Sequence, residues 1–251
     1  MGFAFLDHPG PIPFAHRGGA GEWPENTMPA FEGAVRLGFR YVETDVHATS
    51  DGALLAFHDD VLDRVTDHSG EVAKLPWEVV RKARVGGREP ILLLEELLGT
   101  FPDLRVNIDP KHDAAVAPLI EVIEKHDAID RVCIGSFSDK RVGALQKALG
   151  PTLCTAMGPS AVRRLVVASR GVPMGRFRQP CAQVPLAASG VTIVTERFVH
   201  AAHKRGIAVH VWTIDDDLEM ERLLDLGVDG IMTDHPAVLR AVLERREQWV
   251  E

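Results

Sequence analysis

The chain has 251 residues, 45% of them hydrophobic, a formal net charge of -8 and three cysteines. That apolar content is enough to bury a full core, and the length is one at which α/β barrels run as a single domain. The negative balance excludes a protein drawn by its overall field to nucleic acid or to an anionic membrane.

The N-terminal stretch MGFAFLDHPGPIPFAHRGG has no basic segment followed by a long apolar core. Nowhere do about 18 apolar residues run unbroken, so the expectation is a cytoplasmic protein with no membrane insertion. Short apolar runs then alternate with helical patterns. IPFAH (12–16) is the first expected strand, and TMPAFEGAVRLG is the helix after it. YVETDV (41–46) is the second strand. The stretch from about 47 to 103 is the one long interruption, with its insertion placed at about 47–80. It holds the turn SDGALLAFHDD, the polar loop DRVTDHSGEVAK and two helical patches, PWEVVRKA and LLLEELLGTF. LRVNID (104–109), VCIGS (132–136), TLCTA (152–156), CAQVP (181–185), AVHVWTI (208–214) and GIMTD (230–234) bring the strands to eight. Helical patterns such as AAVAPLIEVIEKH, DKRVGALQKALG, ERFVHAAHKRG, DLEMERLLDLG and PAVLRAVLERREQ lie between or after them, several ending in a helix-closing glycine.

Strand then helix, repeated, signals a parallel sheet. An open doubly wound sheet would concentrate its polar residues at one crevice, whereas a barrel gathers them from many strand ends. Here the run ends carry His16, Glu43 with Asp45, Asp109, Ser136, Gln183, Trp212 with Thr213, and Asp234. The expected fold is therefore a TIM (β/α)8 barrel, one domain over 1–251 with a small insertion after strand 2. Cys133, Cys154 and Cys181 sit in apolar runs without CxxC spacing and read as reduced, buried thiols.

Glu43 and Asp45 stand two apart, so on a strand both project from one face, into the barrel if Val42 packs outward. A metal ion, a proton-transfer pair or a solvated strand end would each account for such a pair. Oxygen-only donors suit Mg2+ or Ca2+, and Asp109 at the third strand end offers a third carboxylate across the mouth. His16 ends the first strand and is followed by Arg17 and two glycines, so an imidazole, a guanidinium and exposed backbone N–H groups meet an anion together. His58, after the glycine turn, is placed to reach over the same mouth, and two histidines can divide the roles of base and acid near neutral pH. His47 continues the 43, 45 alternation and stands at the limit of the expected strand. His68, His112, His126, His200 and His203 are assigned to surface or loops. Thr233 and Asp234 read as the strand end and cap of the helix that Pro236 starts.

Read in order, HRGG, PENT, ETDVHATSDG, FHDDVLDRVT, NIDPK, GSF, VWTID and GIMTDHP closely resemble the glycerophosphodiester phosphodiesterase family, from about residue 13 to 240. The resemblance implies a TIM barrel and a metal-dependent hydrolysis of glycerophosphodiesters to sn-glycerol 3-phosphate and an alcohol, the partner being that small-molecule substrate. Carried over by position, it implies His16 and His58 as catalytic residues and Glu43 and Asp45 as ligands of one divalent cation, Mg2+ or Ca2+ with Mn2+ as a further candidate. It also implies Arg17 and Lys111 as phosphate contacts. One departure stands out: the family's Asn-Ile-Glu-x-Lys segment carries Asp109 here, one methylene shorter, followed by Pro110. The residues and the resemblance together suggest a cation on Glu43, Asp45 and Asp109; the resemblance implies attack by the glycerol 2-hydroxyl, with His16 assigned as its base and His58 as acid toward the departing alcohol. Trp212 is placed to pack on glycerol carbons, Gln183 and Asn26 to supply hydrogen bonds, and Arg176 and Arg178 to meet an anionic leaving group. Two other readings are a phospholipase D-like hydrolase of lysophospholipids on the same barrel and a non-catalytic phosphate-ligand binder.

Overall fold

A computed structural model describes residues 2–250. Eight parallel strands form the central sheet: β1 (Ile12–His16), β2 (Tyr41–Ala48), β3 (Arg105–Pro110), β4 (Val132–Ile134), β5 (Cys154–Thr155), β6 (Cys181–Pro185), β7 (Ala208–Trp212) and β8 (Gly230–Thr233). Their order is β5-β4-β3-β2-β1-β8-β7-β6. A parallel bridge between Ala156 and Cys181 joins the two ends, where the Met157 N–H donates to the Cys181 carbonyl at 2.9 Å. The sheet is thus a closed (β/α)8 ring, the TIM barrel expected, and an open doubly wound sheet is set aside.

Helices pack around it: α1 (Met28–Arg36), α2 (Leu94–Thr100), α3 (Val116–Lys125), α4 (Asp139–Leu149), α5 (Pro159–Ala168), α6 (Glu196–His203), α7 (Asp217–Asp225) and α8 (Pro236–Arg245). Local chemistry sets their starts. Proline occupies the first turn of α1, α5 and α8, where its missing N–H costs nothing. Ser138, Thr195 and Asp216 accept from the third backbone N–H of α4, α6 and α7. α5 lies outside the helices expected, and no helix among the described residues is long and apolar enough to cross a membrane.

Alternation along the strands divides the core into two layers. Val42, Val46, Val106, Ile108, Val209, Val211 and Ile231 face outward and pack with Phe31, Ala34, Leu145, Leu165 and Leu239 of the helices. Phe14, Tyr41, Cys133, Cys154, Cys181 and Met232 pack together in a second cluster, inside the ring. With Val42 outward, Glu43 and Asp45 take the inner face, as the two-residue period requires.

The insertion is larger than expected. β2 runs on to Ala48, and a short strand, Leu54–Ala56, folds back antiparallel on its end. Beyond residue 80, Ala83, Val85 and Ile91 close a small apolar cluster with Leu55, Phe57, Leu62, Val72 and Val80. The lobe therefore needs residues to about 93 to bury its own apolar side, and a boundary at 80 would cut that cluster.

Candidate active site

Strand register assembles the site. His16 of β1 is the Cα partner of Glu43 on β2, and Glu43 is the partner of Asn107 on β3; one step up, Asp45 is the partner of Asp109. His16, Arg17, Glu43, Asp45, His58, Asp109, Lys111, Gln183 and Trp212, all expected near the site, line one cavity of about 520 Å³ at the C-terminal ends of the strands.

His16 Nδ1 lies 2.6 Å from Asp234 Oδ1, and its Nε2 is 3.6 Å from Glu43 Oε2. Burial would depress the imidazole pKa, but the Glu43 and Asp234 carboxylates outweigh it, and the net shift is upward. Asp234 is therefore a partner of His16 and not a helix cap. The N-cap of α8 is His235, which makes no capping hydrogen bond, and the Thr233 hydroxyl donates to Asp215 Oδ1 at 3.0 Å. Ala15 and Thr233 are register partners, so closure of the ring sets the residues that follow them side by side.

His58 forms a second pair of the same kind. Its Nδ1 is 2.5 Å from Asp59 Oδ1, and Arg64 grips that carboxylate through Nε at 2.6 Å and Nη2 at 3.0 Å. The Arg64 hydrogen bonds hold Asp59 down at about 2. Arg64 also donates to both oxygens of Glu25 at 2.8 Å, and Glu25 accepts from Arg17 at 2.9 Å. A charged chain thus runs from His58 to Arg17. His47, on the inner face of β2, has Nε2 3.0 Å from the His58 carbonyl; burial lowers its pKa, so it is a neutral brace under the loop. Asn26 acts alike: buried at a positive φ of 56°, it accepts from the Thr44 hydroxyl at 2.8 Å and does not line the cavity.

Three carboxylates sit beside two cations next to His16. Arg17 Nε is 3.1 Å from Asp45 Oδ2 but misaligned for a hydrogen bond, and the Arg17 backbone N–H donates to Glu43 Oε2 at 3.3 Å. Lys111 Nζ lies 2.6 Å from Asp45 Oδ1 and 2.9 Å from Asp109 Oδ2. In this arrangement the lysine neutralises carboxylates. Burial, with Asp45 adjacent, pushes Glu43 up to about 7, and burial also raises Asp109. Asp45 Oδ2 and Asp109 Oδ1 are buried without a hydrogen-bond partner. Among the described residues, the one group of three His, Cys, Asp or Glu side chains with ligand atoms all within 4.8 Å of one another is Cys133, Cys154 and Cys181, so the carboxylates are more widely spread.

The cavity floor is polar at its centre. Gln183 Nε2 donates to Asn107 Oδ1 at 2.7 Å across the ring and lies 3.5 Å from His210 Nδ1, an imidazole that burial holds neutral with a pKa lowered to about 4. The remaining wall is largely apolar, built from Phe137, Met157, Val162, Ile193 and Trp212, with Phe137 and Trp212 edge to face at 5.6 Å. Arg176 and Arg178 are exposed and away from the cavity; the cation on that rim is Arg163 of α5. Of the inserted lobe, His58 alone lines the cavity. His68, His112, His200 and His203 are exposed and His126 half-buried, as assigned from sequence.

Comparison with known proteins shows the family. The model of the glycerophosphoryl diester phosphodiesterase family matches residues 16–238. A Mycobacterium tuberculosis protein named "Probable glycerophosphodiester phosphodiesterase 2" is 42% identical over 251 residues, covering 98% of this chain and 95% of that one. Among solved structures, a chain from Silicibacter pomeroyi DSS-3 superposes with a TM-score of 0.82 at 22% identity, over 98% of both chains. An Oleispira antarctica phosphodiesterase, solved in complex with its product sn-glycerol 3-phosphate, superposes with a TM-score of 0.79 at 24% identity, over 94% of this chain and 97% of that one. The chain therefore belongs to the glycerophosphoryl diester phosphodiesterase family, a family of phosphoric diester hydrolases.

Proposed function

We propose that the protein hydrolyses glycerophosphodiesters to sn-glycerol 3-phosphate and an alcohol, using His16 and His58 as its proton-transfer pair and one divalent cation at Glu43, Asp45 and Asp109. The observation that carries the reading is the pair of His–carboxylate couples, His16–Asp234 and His58–Asp59, lining the same cavity as the carboxylates and Arg17. The product bound by the Oleispira antarctica relative is what this chemistry would leave behind.

The residues present fit a hard cation. The donors are all oxygen, two carboxylate oxygens are buried without hydrogen-bond partners, and Glu43 is forced toward neutrality by burial. When bound, the ion supplies a Lewis acid for a phosphate oxygen. Arg17 and Lys111 neutralise the remaining phosphate charge, Lys111 by turning from the carboxylates that hold it.

His16 is the base in this account. Asp234 fixes its Nδ1–H, which leaves the Nε2 lone pair to take the proton of the glycerol 2-hydroxyl as that oxygen attacks phosphorus. His58 sits nearer the rim, its side chain 35% exposed against 15% for His16, where a departing alcohol leaves the cavity. With Asp59 on Nδ1, its Nε2 delivers the proton to that alcohol. Water then opens the cyclic phosphate, with the two imidazoles exchanging roles.

The apolar wall at Phe137, Met157, Val162 and Ile193 favours a second substrate class, the lysophospholipids, whose acyl chain it would cover. The test is product release from glycerophosphocholine, glycerophosphoethanolamine and lysophosphatidylcholine, with and without EDTA. Release of glycerol 3-phosphate from the first two, abolished by EDTA, supports the main reading; choline released from lysophosphatidylcholine alone supports the second.

A further inference from the structure

Below the cavity floor lies a group of side chains that hydrolysis does not use. Cys133 on β4, Cys154 on β5 and Cys181 on β6 each place a sulfur within 4.8 Å of the other two. Cys133 and Cys154 are Cα partners, and Cys181 pairs with Ala156 at the bridge that closes the ring. All three are buried, none is in a disulfide, and they are the only cysteines in the chain.

Their spacing is that of a metal coordination triangle. The Sγ atoms of Cys133 and Cys181 are 3.9 Å apart. A metal–sulfur bond of about 2.3 Å makes the edge of a planar three-sulfur site about 4.0 Å, so adjustments of tenths of an ångström close the triangle. The surroundings are apolar, with Phe14, Tyr41, Ala156 and Met232 in the same cluster. Soft thiolates in such a setting select soft cations, while Mg2+ and Ca2+ demand oxygen.

We propose that Cys133, Cys154 and Cys181 form a three-coordinate thiolate site for one soft d10 cation of the Cu+ or Cd2+ kind, distinct from the carboxylate site above it. The thiols are unevenly primed for this. Burial pushes Cys133 well above the ordinary thiol range, whereas hydrogen bonds from Cys133 and Cys181 draw Cys154 down to about 5. Each thiol that becomes a ligand gives its proton to solvent with no change of oxidation state, so binding tightens as pH rises. Ala156 and Met232 belong both to the cavity lining and to the layer around the sulfurs, so a single layer of side chains separates the sulfurs from the cavity. A cation held there ties β4, β5 and β6 together across the seam where β5 and β6 share a single bridge, and so stabilises the fold.

The test adds Cd2+ to the reduced full-length protein in saturating Mg2+, which keeps Cd2+ off the carboxylates, and follows thiolate-to-cadmium charge-transfer absorption and Tm. One equivalent bound, displaced by Cu+ and accompanied by a rise in Tm, is expected, as is its loss in Cys133→Ala/Cys154→Ala/Cys181→Ala. That variant's circular dichroism and phosphodiesterase turnover report whether it folds; if it does not, Cys154→Ser should weaken Cd2+ binding at least tenfold. Uptake only on refolding with Cd2+ present also supports the site. No charge-transfer band by either route, or Cd2+ binding that Cys154→Ser leaves unchanged, overturns it.

Discussion

His16 and Asp234 stand 218 residues apart in the chain, yet Nδ1 of one lies 2.6 Å from Oδ1 of the other. The contact joins the ends of β1 and β8, so the same closure that completes the barrel also orients one imidazole. Because Asp234 helps raise the His16 pKa, Asp234→Asn should lower it. With His16 as base, the acidic limb of the kcat/KM profile should move to lower pH while the plateau falls by about tenfold to a hundredfold. A shift of the alkaline limb would instead make His16 the acid and reverse the two roles.

Arg64 holds Asp59 and Glu25 at once, from the surface of the inserted lobe. Arg64→Leu should lower kcat by about tenfold or more through a loosened His58. Its effect on stability should stay at about 1 kcal/mol, since the Arg64 side chain is half exposed. Arg64→Lys should restore only part of kcat, because an ammonium cannot grip both oxygens as a guanidinium does. Steady-state kinetics beside urea denaturation separates these effects.

The raised pKa of Glu43, about 7, has a signed consequence for the ion-free protein. Between the ordinary carboxylate range and about pH 7 the folded chain holds a proton that the unfolded chain has released. Stability therefore decreases as pH rises through that window. A divalent cation competes with the same proton, so its affinity should weaken as pH falls below about 7. Thermal melts in EDTA and in Mg2+ should show a larger Mg2+-dependent gain in Tm at about pH 8 than at about pH 5.5. A gain independent of pH would remove Glu43 from the ligand set.

Phe31 of α1 is fully buried in the layer between helices and barrel, away from the cavity. Phe31→Ala should cost about 3–5 kcal/mol in urea unfolding while leaving turnover by the folded fraction close to that of the parent.

The eight strands were legible because nearly every apolar run carries a polar residue at or near its end, and in a closed barrel those ends converge. Alternation carried Glu43 and Asp45 inward as soon as Val42 faced the helices. Helix α5 was not legible: Val162, Val166 and Val167 are β-branched and read as extended, and its helical face appears only once Ala161, Leu165 and Ala168 pack on the barrel. Asp234 looked like a cap because local pattern favours that role. Only the β1–β8 pairing, a contact between chain ends, gives it His16. The Arg64–Glu25 pair depends on the inserted lobe folding back across the rim, which no local period encodes. Lys111 was expected to face phosphate; its nearest charges are Asp45 and Asp109, a pairing that depends on β2 and β3 lying side by side.

The most direct measurement is release of glycerol 3-phosphate from glycerophosphocholine by the purified protein, in EDTA and with Mg2+, Ca2+ or Mn2+, beside His16→Ala, His58→Ala and Glu43→Ala. The account predicts turnover that requires a divalent cation and falls by about a thousandfold or more in each variant. Turnover that persists in EDTA, or in both histidine variants, would contradict it.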